Sequence, residues 1–118
     1  MKYLLFFFIA ILLISCVSPL GNKSIKVQIL NASNTPISNV KITTSENLDS
    51  LFFPSIDIYE GKFGNLNMAK NKIDGEYRLS YKQDGKYHLI KTGYYTNGRS
   101  LAYSMYIEVK KDTAIVKF

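Results

Sequence analysis

The sequence predicts an all-β chain, a single β-sandwich of about seven strands behind a separate N-terminal segment. Three observations carry that prediction. Apolar and polar residues alternate in six to eight short segments, turn-forming residues recur between them, and no stretch after residue 16 keeps a strong helical period. No internal repeat or low-complexity segment interrupts the pattern.

The N-terminal segment comes first. Lys2 supplies one positive charge, and Leu4 to Ile14 is an unbroken apolar run of eleven residues. A membrane-spanning helix needs about 20, whereas a run of this length matches the apolar region of an export signal. The run stops at Ser15-Cys16, and Pro19 and Gly21 follow closely. Neither residue continues a helix comfortably.

Cys16 is the one cysteine of the chain, so it has no internal disulfide partner. Leu13-Ile14-Ser15-Cys16 resembles the lipobox of bacterial lipoproteins, in which Leu, a small or aliphatic residue and Gly, Ala or Ser precede an invariant Cys. The resemblance implies a lipoprotein signal peptide over 1–15, cleavage before Cys16, and acylation of its thiol and new amine. Two or more acyl chains anchor stably, at about 0.8 kcal/mol per buried CH₂. Residues 16–24 then read as a tether and 25–118 as the folded domain. The tether lacks the acidic cluster that resembles a surface-export signal in Bacteroidetes-type bacteria. The expected location is therefore the bacterial cell envelope, lipid-anchored, on the outer membrane facing the periplasm.

The domain reads strand by strand. Ile25 to Ile29 alternates, Asn31 to Pro36 is dense in turn residues, and Val40 to Thr44 alternates again after an irregular start at Ile37 to Asn39. Ser45 to Lys72 is the least regular stretch. Within it, Leu51-Phe52-Phe53-Pro54 is read as a core plug in preference to an exposed apolar loop. Ser55 to Tyr59 reads as a short strand, and Glu60 to Asn65, with two glycines, as a turn or bend. From Asp74 the pattern sharpens. Tyr77, Leu79 and Tyr81 share one face, Lys82 to Gly85 is a tight turn, and Lys86 to Thr92 continues as a strand. Gly93 to Ser100 breaks the pattern, Leu101 to Val109 alternates, Lys110 to Asp112 turns, and Thr113 to Phe118 closes.

Two patches resemble the carboxypeptidase regulatory-like domain, a transthyretin-like, seven-stranded Greek-key sandwich. Asn31, Asn34, Pro36 and Ile37 occupy the places of that family's Asp-x-x-Gly-x-Pro-Ile/Leu. Asp74-Gly75-Glu76-Tyr77, then Gly85-Lys86-Tyr87, then Gly93-Tyr94 resemble its later Gly-and-Tyr series. The usual glycine before the first strand is missing, and Asp74 stands directly before Gly75 instead of three residues earlier. The resemblance implies a Greek-key fold and a binding or spacer role more than an activity.

The catalytic inventory is short. The lipobox assigns the thiol to lipid. His88, the one histidine, lies mid-strand opposite Tyr87 in phase and reads as a surface or edge residue. No serine has a nucleophile-elbow context, and Asp57 with Glu60 is too sparse for a metal site. The hydroxyisourate hydrolase branch of the transthyretin superfamily ends in Tyr-Arg-Gly-Ser and uses several histidines. This chain ends Ile115-Val116-Lys117-Phe118. No enzyme, cofactor or metal is therefore expected.

The full chain carries 15 basic and 9 acidic residues; without Lys2 the net excess is five. The cations are scattered, whereas a nucleic-acid footprint clusters on one face, so nucleic acid is not an expected partner. A weak bias toward anionic headgroups or acidic glycans remains. Asp49-Ser50-Leu51 and Asp112-Thr113-Ala114 resemble the three-residue O-glycosylation pattern of Bacteroidetes.

Seven of the nine tyrosines lie between Tyr77 and Tyr106. Most of them read as core and sheet surface. Tyr94, Tyr95, Asn97 and Arg99 are the candidate ligand-binding residues, because adjacent tyrosines in an extended chain cannot both point inward and loops on rigid sheets carry recognition. The expected function is a non-enzymatic binding or structural module, membrane-held by its lipid, for an envelope protein or glycan partner. The alternative is an inhibitor or immunity-type lipoprotein that blocks an envelope enzyme or toxin.

Overall fold

Alternation along the chain becomes alternation of burial. In the first strand Ile25, Val27 and Ile29 are buried while Lys26 and Gln28 face out, as a strand with one face on a core requires. The computed structural model describes residues 21–118, and these form nine strands. They are β1 (Ser24–Asn31), β2 (Ile37–Thr44), β3 (Ser50–Ile56), β4 (Gly61–Asn67), β5 (Gly75–Gln83), β6 (Lys86–Thr96), β7 (Arg99–Ser100), β8 (Ser104–Lys110) and β9 (Thr113–Lys117). The readings for residues 1–15 and Cys16 lie outside the described residues. Asn22, within the stretch read as tether, already bridges to Ser100.

The strands form two sheets, ordered β4-β1-β8-β9 and β3-β2-β5-β6-β7. All neighbours are antiparallel except β1 and β8, which run parallel. The inner faces supply one core. Ile25, Ile29 and Ile107 of the four-stranded sheet and Ile42, Tyr77, Leu79 and Tyr81 of the five-stranded sheet are all but fully buried. The described chain is thus all-β and two-layered, as expected, with nine strands in place of about seven.

The difference lies in residues 45–72, where two strands stand in place of one, and in the short β7. Leu51-Phe52-Phe53-Pro54 belongs to edge strand β3, where Leu51 and Phe53 pack on the core, as the core reading expected, and Phe52 faces solvent. Pro54 fits there because β3 is an edge strand, which needs no second ladder of N–H donors. The stretch from Glu60 to Asn65, read as a bend, is mostly β4. Its Gly64 faces inward beneath Leu51, where an added Cβ would lie 2.8 Å from Leu51 Cδ1. This glycine marks a close approach between sheet edges, not a turn.

Turns fix the remaining registers. The irregular start of the second strand is a bulge: register shifts between Ser38 and Lys41, with Asn39 at φ 52°. β5 and β6 join through Asp84-Gly85, both at positive φ, the requirement of a type I′ turn. β6 runs through the predicted break to Thr96 and then turns through Asn97-Gly98, at φ 52° and 73°. At the opposite end of the molecule, buried Asn31 clasps the β1–β2 loop. Its Nδ2 donates to the Thr35 and Ile56 carbonyls at 2.8 and 3.2 Å, and its Oδ1 accepts from the Ser33 N–H and hydroxyl at 3.1 and 2.6 Å. Gln83 Nε2 extends this network to the Ser33 hydroxyl, and Gln83 Oε1 accepts the Asp112 N–H.

Candidate functional site

The four residues singled out from sequence all lie at the end of the molecule where the described chain begins. They do not form one surface. Tyr95 is fully buried, its ring 5.6 Å from that of Tyr77, and its hydroxyl donates to Glu46 Oε1 at 3.1 Å. Tyr94 points the other way, as neighbours in a strand must, and stays exposed. Its hydroxyl donates to Asp74 Oδ2 at 3.1 Å, and the Asn97 N–H donates to Asp74 Oδ1 at 2.9 Å. Asn97 is a turn residue. Arg99 is half-buried in β7, beside the bridge from Ser100 to Asn22. Tyr94 lines a shallow depression of about 420 Å³ bordered by Asp74, Glu76 and Gly93.

Glu46 holds this end together. Its carboxylate accepts the Lys72 N–H at 3.0 Å, the Ile73 N–H at 3.0 Å and the Tyr95 hydroxyl. Burial pushes its pKa up, but the two backbone donors and the tyrosine outweigh burial and hold it below the usual carboxylate value. These groups are committed to one another, and the tyrosine-rich turn is built as structure.

His88 lies on the part of β6 that β7 does not cover, an edge position as the sequence reading allowed, but its ring faces inward and is half-buried. It is stacked on Tyr81, its partner across β5 and β6, at 5.0 Å and 14° between ring planes. The Tyr81 hydroxyl and His88 Nε2 are buried with no hydrogen-bond partner among the described residues. Burial first, and the Asp112 charge second, raise the Tyr81 pKa. Among the described residues no carboxylate hydrogen-bonds to His88 Nε2, which has no partner there.

The outer sheet faces offer more. Across the four-stranded sheet, Phe63, Gln28 and Tyr106 fall in one register row, with Asn65, Lys26 and Ser104 in the next. Between them runs a groove of about 410 Å³. Phe63 is 81% exposed, and Tyr103, one residue before β8, is 80% exposed. A phenyl ring left in water on a strand is available apolar area, and hydroxyl, amide and ammonium groups surround it. Sequence reasoning missed this site because its residues come from β1, β4 and β8, and the Phe63 segment read as a bend.

No family model and no curated protein matches this sequence. Among solved structures, the chain is similar to an NMR structure of a protein from Eubacterium rectale, with a TM-score of 0.55 at 8% identity, over 86% of this chain and 93% of that one. At that identity the likeness speaks for the fold alone.

Proposed function

We propose that this chain is a lipid-anchored lipoprotein of the bacterial envelope, held through Cys16 on the outer membrane and facing the periplasm. It works as a non-enzymatic binding module that lays a glycan across the outer face of its four-stranded sheet. One observation carries the choice of surface: the register row Phe63–Gln28–Tyr106, with its exposed ring, over the 410 Å³ groove. An aromatic face stacks on the apolar face of a sugar ring, while Gln28, Asn65, Ser104 and Lys26 reach its hydroxyls. In contrast, the polar groups around Tyr94 are already satisfied within the protein.

The fold is read as the Greek-key, transthyretin-like arrangement of the carboxypeptidase regulatory-like domain. Chain crossings between the sheets after β1, β3, β4 and β7 support that reading. So does the bulge that follows the Asn31–Ile37 motif.

Two measurements test the function. On an array of bacterial polysaccharide fragments, Phe63→Ala abolishes the signal and Tyr94→Ala leaves it intact; the reverse result refutes the site. A pull-down that recovers one stoichiometric protein, with a blank array, replaces the glycan with the inhibitor or immunity-type role. Replacing Cys16 with Ala releases the protein from the membrane fraction. Unchanged fractionation with no acyl label refutes the anchor.

A further inference from the structure

The outer face of the five-stranded sheet differs in kind from the groove face. Register places Ser50, Thr43, Arg78 and Lys91 in one row, Phe52, Lys41, Ser80 and Leu89 in the next, and Ser38, Lys82 and Tyr87 in a third. Four cations, Lys41, Arg78, Lys82 and Lys91, therefore share one face, and no carboxylate stands in these rows. The nearest is Glu76, 3.6 Å from Arg78 through one nitrogen. The scatter of lysines along the sequence conceals this clustering in space.

Two details point outward from this face. Arg78 and Lys91 are direct cross-strand partners, a like-charge pairing that destabilises a sheet. Nothing within the described fold offsets it beyond the single Glu76 contact. Arg78 Nε is also buried without a hydrogen-bond partner. It borders a depression of about 220 Å³ that Lys41, Thr43, Ser80 and Tyr87 also line. Around these cations stand Phe52, Tyr87 and Leu89, between 49% and 65% exposed. Cations among exposed apolar side chains form the pattern that meets lipid headgroups and the acyl boundary together.

We propose that this face docks on the surface of an anionic phospholipid bilayer, with a headgroup phosphate seated between Lys41 and Arg78. The inference rests on the lipid anchor proposed above, which brings a bilayer within reach. From Cys16 to Gly21, five residues of chain span at most about 18 Å. The Arg78–Lys91 row lies toward the end where the chain enters, since β5 begins there and β1 pairs with β4 from that end. Docking this face turns the Phe63 groove, on the opposite sheet, away from the membrane.

The test uses the acylated full-length product in vesicles of phosphatidylcholine, with and without phosphatidylglycerol. Lysine acetylation rates are read by mass spectrometry. Anionic vesicles should protect Lys41, Lys82 and Lys91 but not Lys26 and Lys117 on the other sheet, and molar salt should remove the protection. Each cation shifts the docking equilibrium about fivefold, so Lys41→Ala with Lys91→Ala should bring the protection of Lys82 down toward that of Lys117. Circular dichroism confirms that this variant is folded. Equal labelling of the two sheets, equal protection on neutral vesicles, or the same protection by inorganic phosphate without vesicles would each overturn docking. The mass of the Cys16 peptide in the same digest reports acylation, so failure of the anchor is seen separately.

Discussion

Asn31 is the residue on which the distal end depends, and Asn31→Ala tests that dependence. The side chain is fully buried and makes four hydrogen bonds, two as donor to the Thr35 and Ile56 carbonyls and two as acceptor from Ser33. Alanine removes all four and leaves the Ser33 N–H buried without the acceptor it uses. A hydrogen bond is worth about 1 kcal/mol net, and a buried group left unsatisfied costs about 1–3 kcal/mol. The bonds overlap in one network, so about 3 kcal/mol is the expected loss, near the upper end for single substitutions. In a domain of this size that lowers the melting temperature by roughly 12–24 °C. Urea unfolding followed by tyrosine fluorescence measures it, with exposed Asn34→Ala as a control that should stay within about 0.5 kcal/mol. A loss for Asn31→Ala no larger than the control's, at unchanged urea dependence, would show that the clasp does not hold the loop.

Two further predictions follow from groups whose environments are unusual. Tyr81→Phe removes a buried hydroxyl that has no partner among the described residues, keeps the ring on His88, and should stabilise the fold by about 1 kcal/mol; measurable destabilisation would mean that the hydroxyl has a partner. Glu46, with a folded pKa below its ordinary 4.5, lends stability that is fully present above that value and is lost as pH falls through the folded one. Glu46→Gln should therefore flatten the acid limb of the stability curve below about pH 4.5, and an unchanged acid limb would sink that assignment.

Much of the fold is legible where one face of a strand is buried and the other wet. Ile25-Lys26-Val27-Gln28-Ile29 and Tyr77-Arg78-Leu79-Ser80-Tyr81 announce their inner faces directly, because burial and alternation share a period of two. The edge strands are harder. Leu51-Phe52-Phe53-Pro54 has no polar residue to mark its outward positions, and a proline argues against a strand until its place at an edge is known. Gly61 and Gly64 imitate a turn, yet the inward small residue is demanded by Leu51 across the gap. At the tyrosine turn, the sequence correctly separates Tyr94 from Tyr95 but leaves open which is which. Only the fold reveals that Asp74 and Glu46 had already claimed their hydroxyls. The groove was beyond reach, since Gln28, Phe63 and Tyr106 are neighbours only through strand register.

The edge positions carry a consequence of another kind. A protein tethered to a bilayer diffuses in two dimensions, where encounters between identical copies are frequent. Open sheet edges invite such copies to join strand to strand into polymers. Most of these edges are blunted. β3 carries Pro54 and abuts β4, and β9 is five residues long, preceded by Lys110 and Lys111 and ending at Lys117. β7 pairs only with Tyr95 and Thr96, so Lys86 to Tyr94 of β6 is the open edge, and it carries Lys86 and Lys91. On the proposed lipid anchor, the lysines of that open edge would be what keeps crowded domains apart as separate particles.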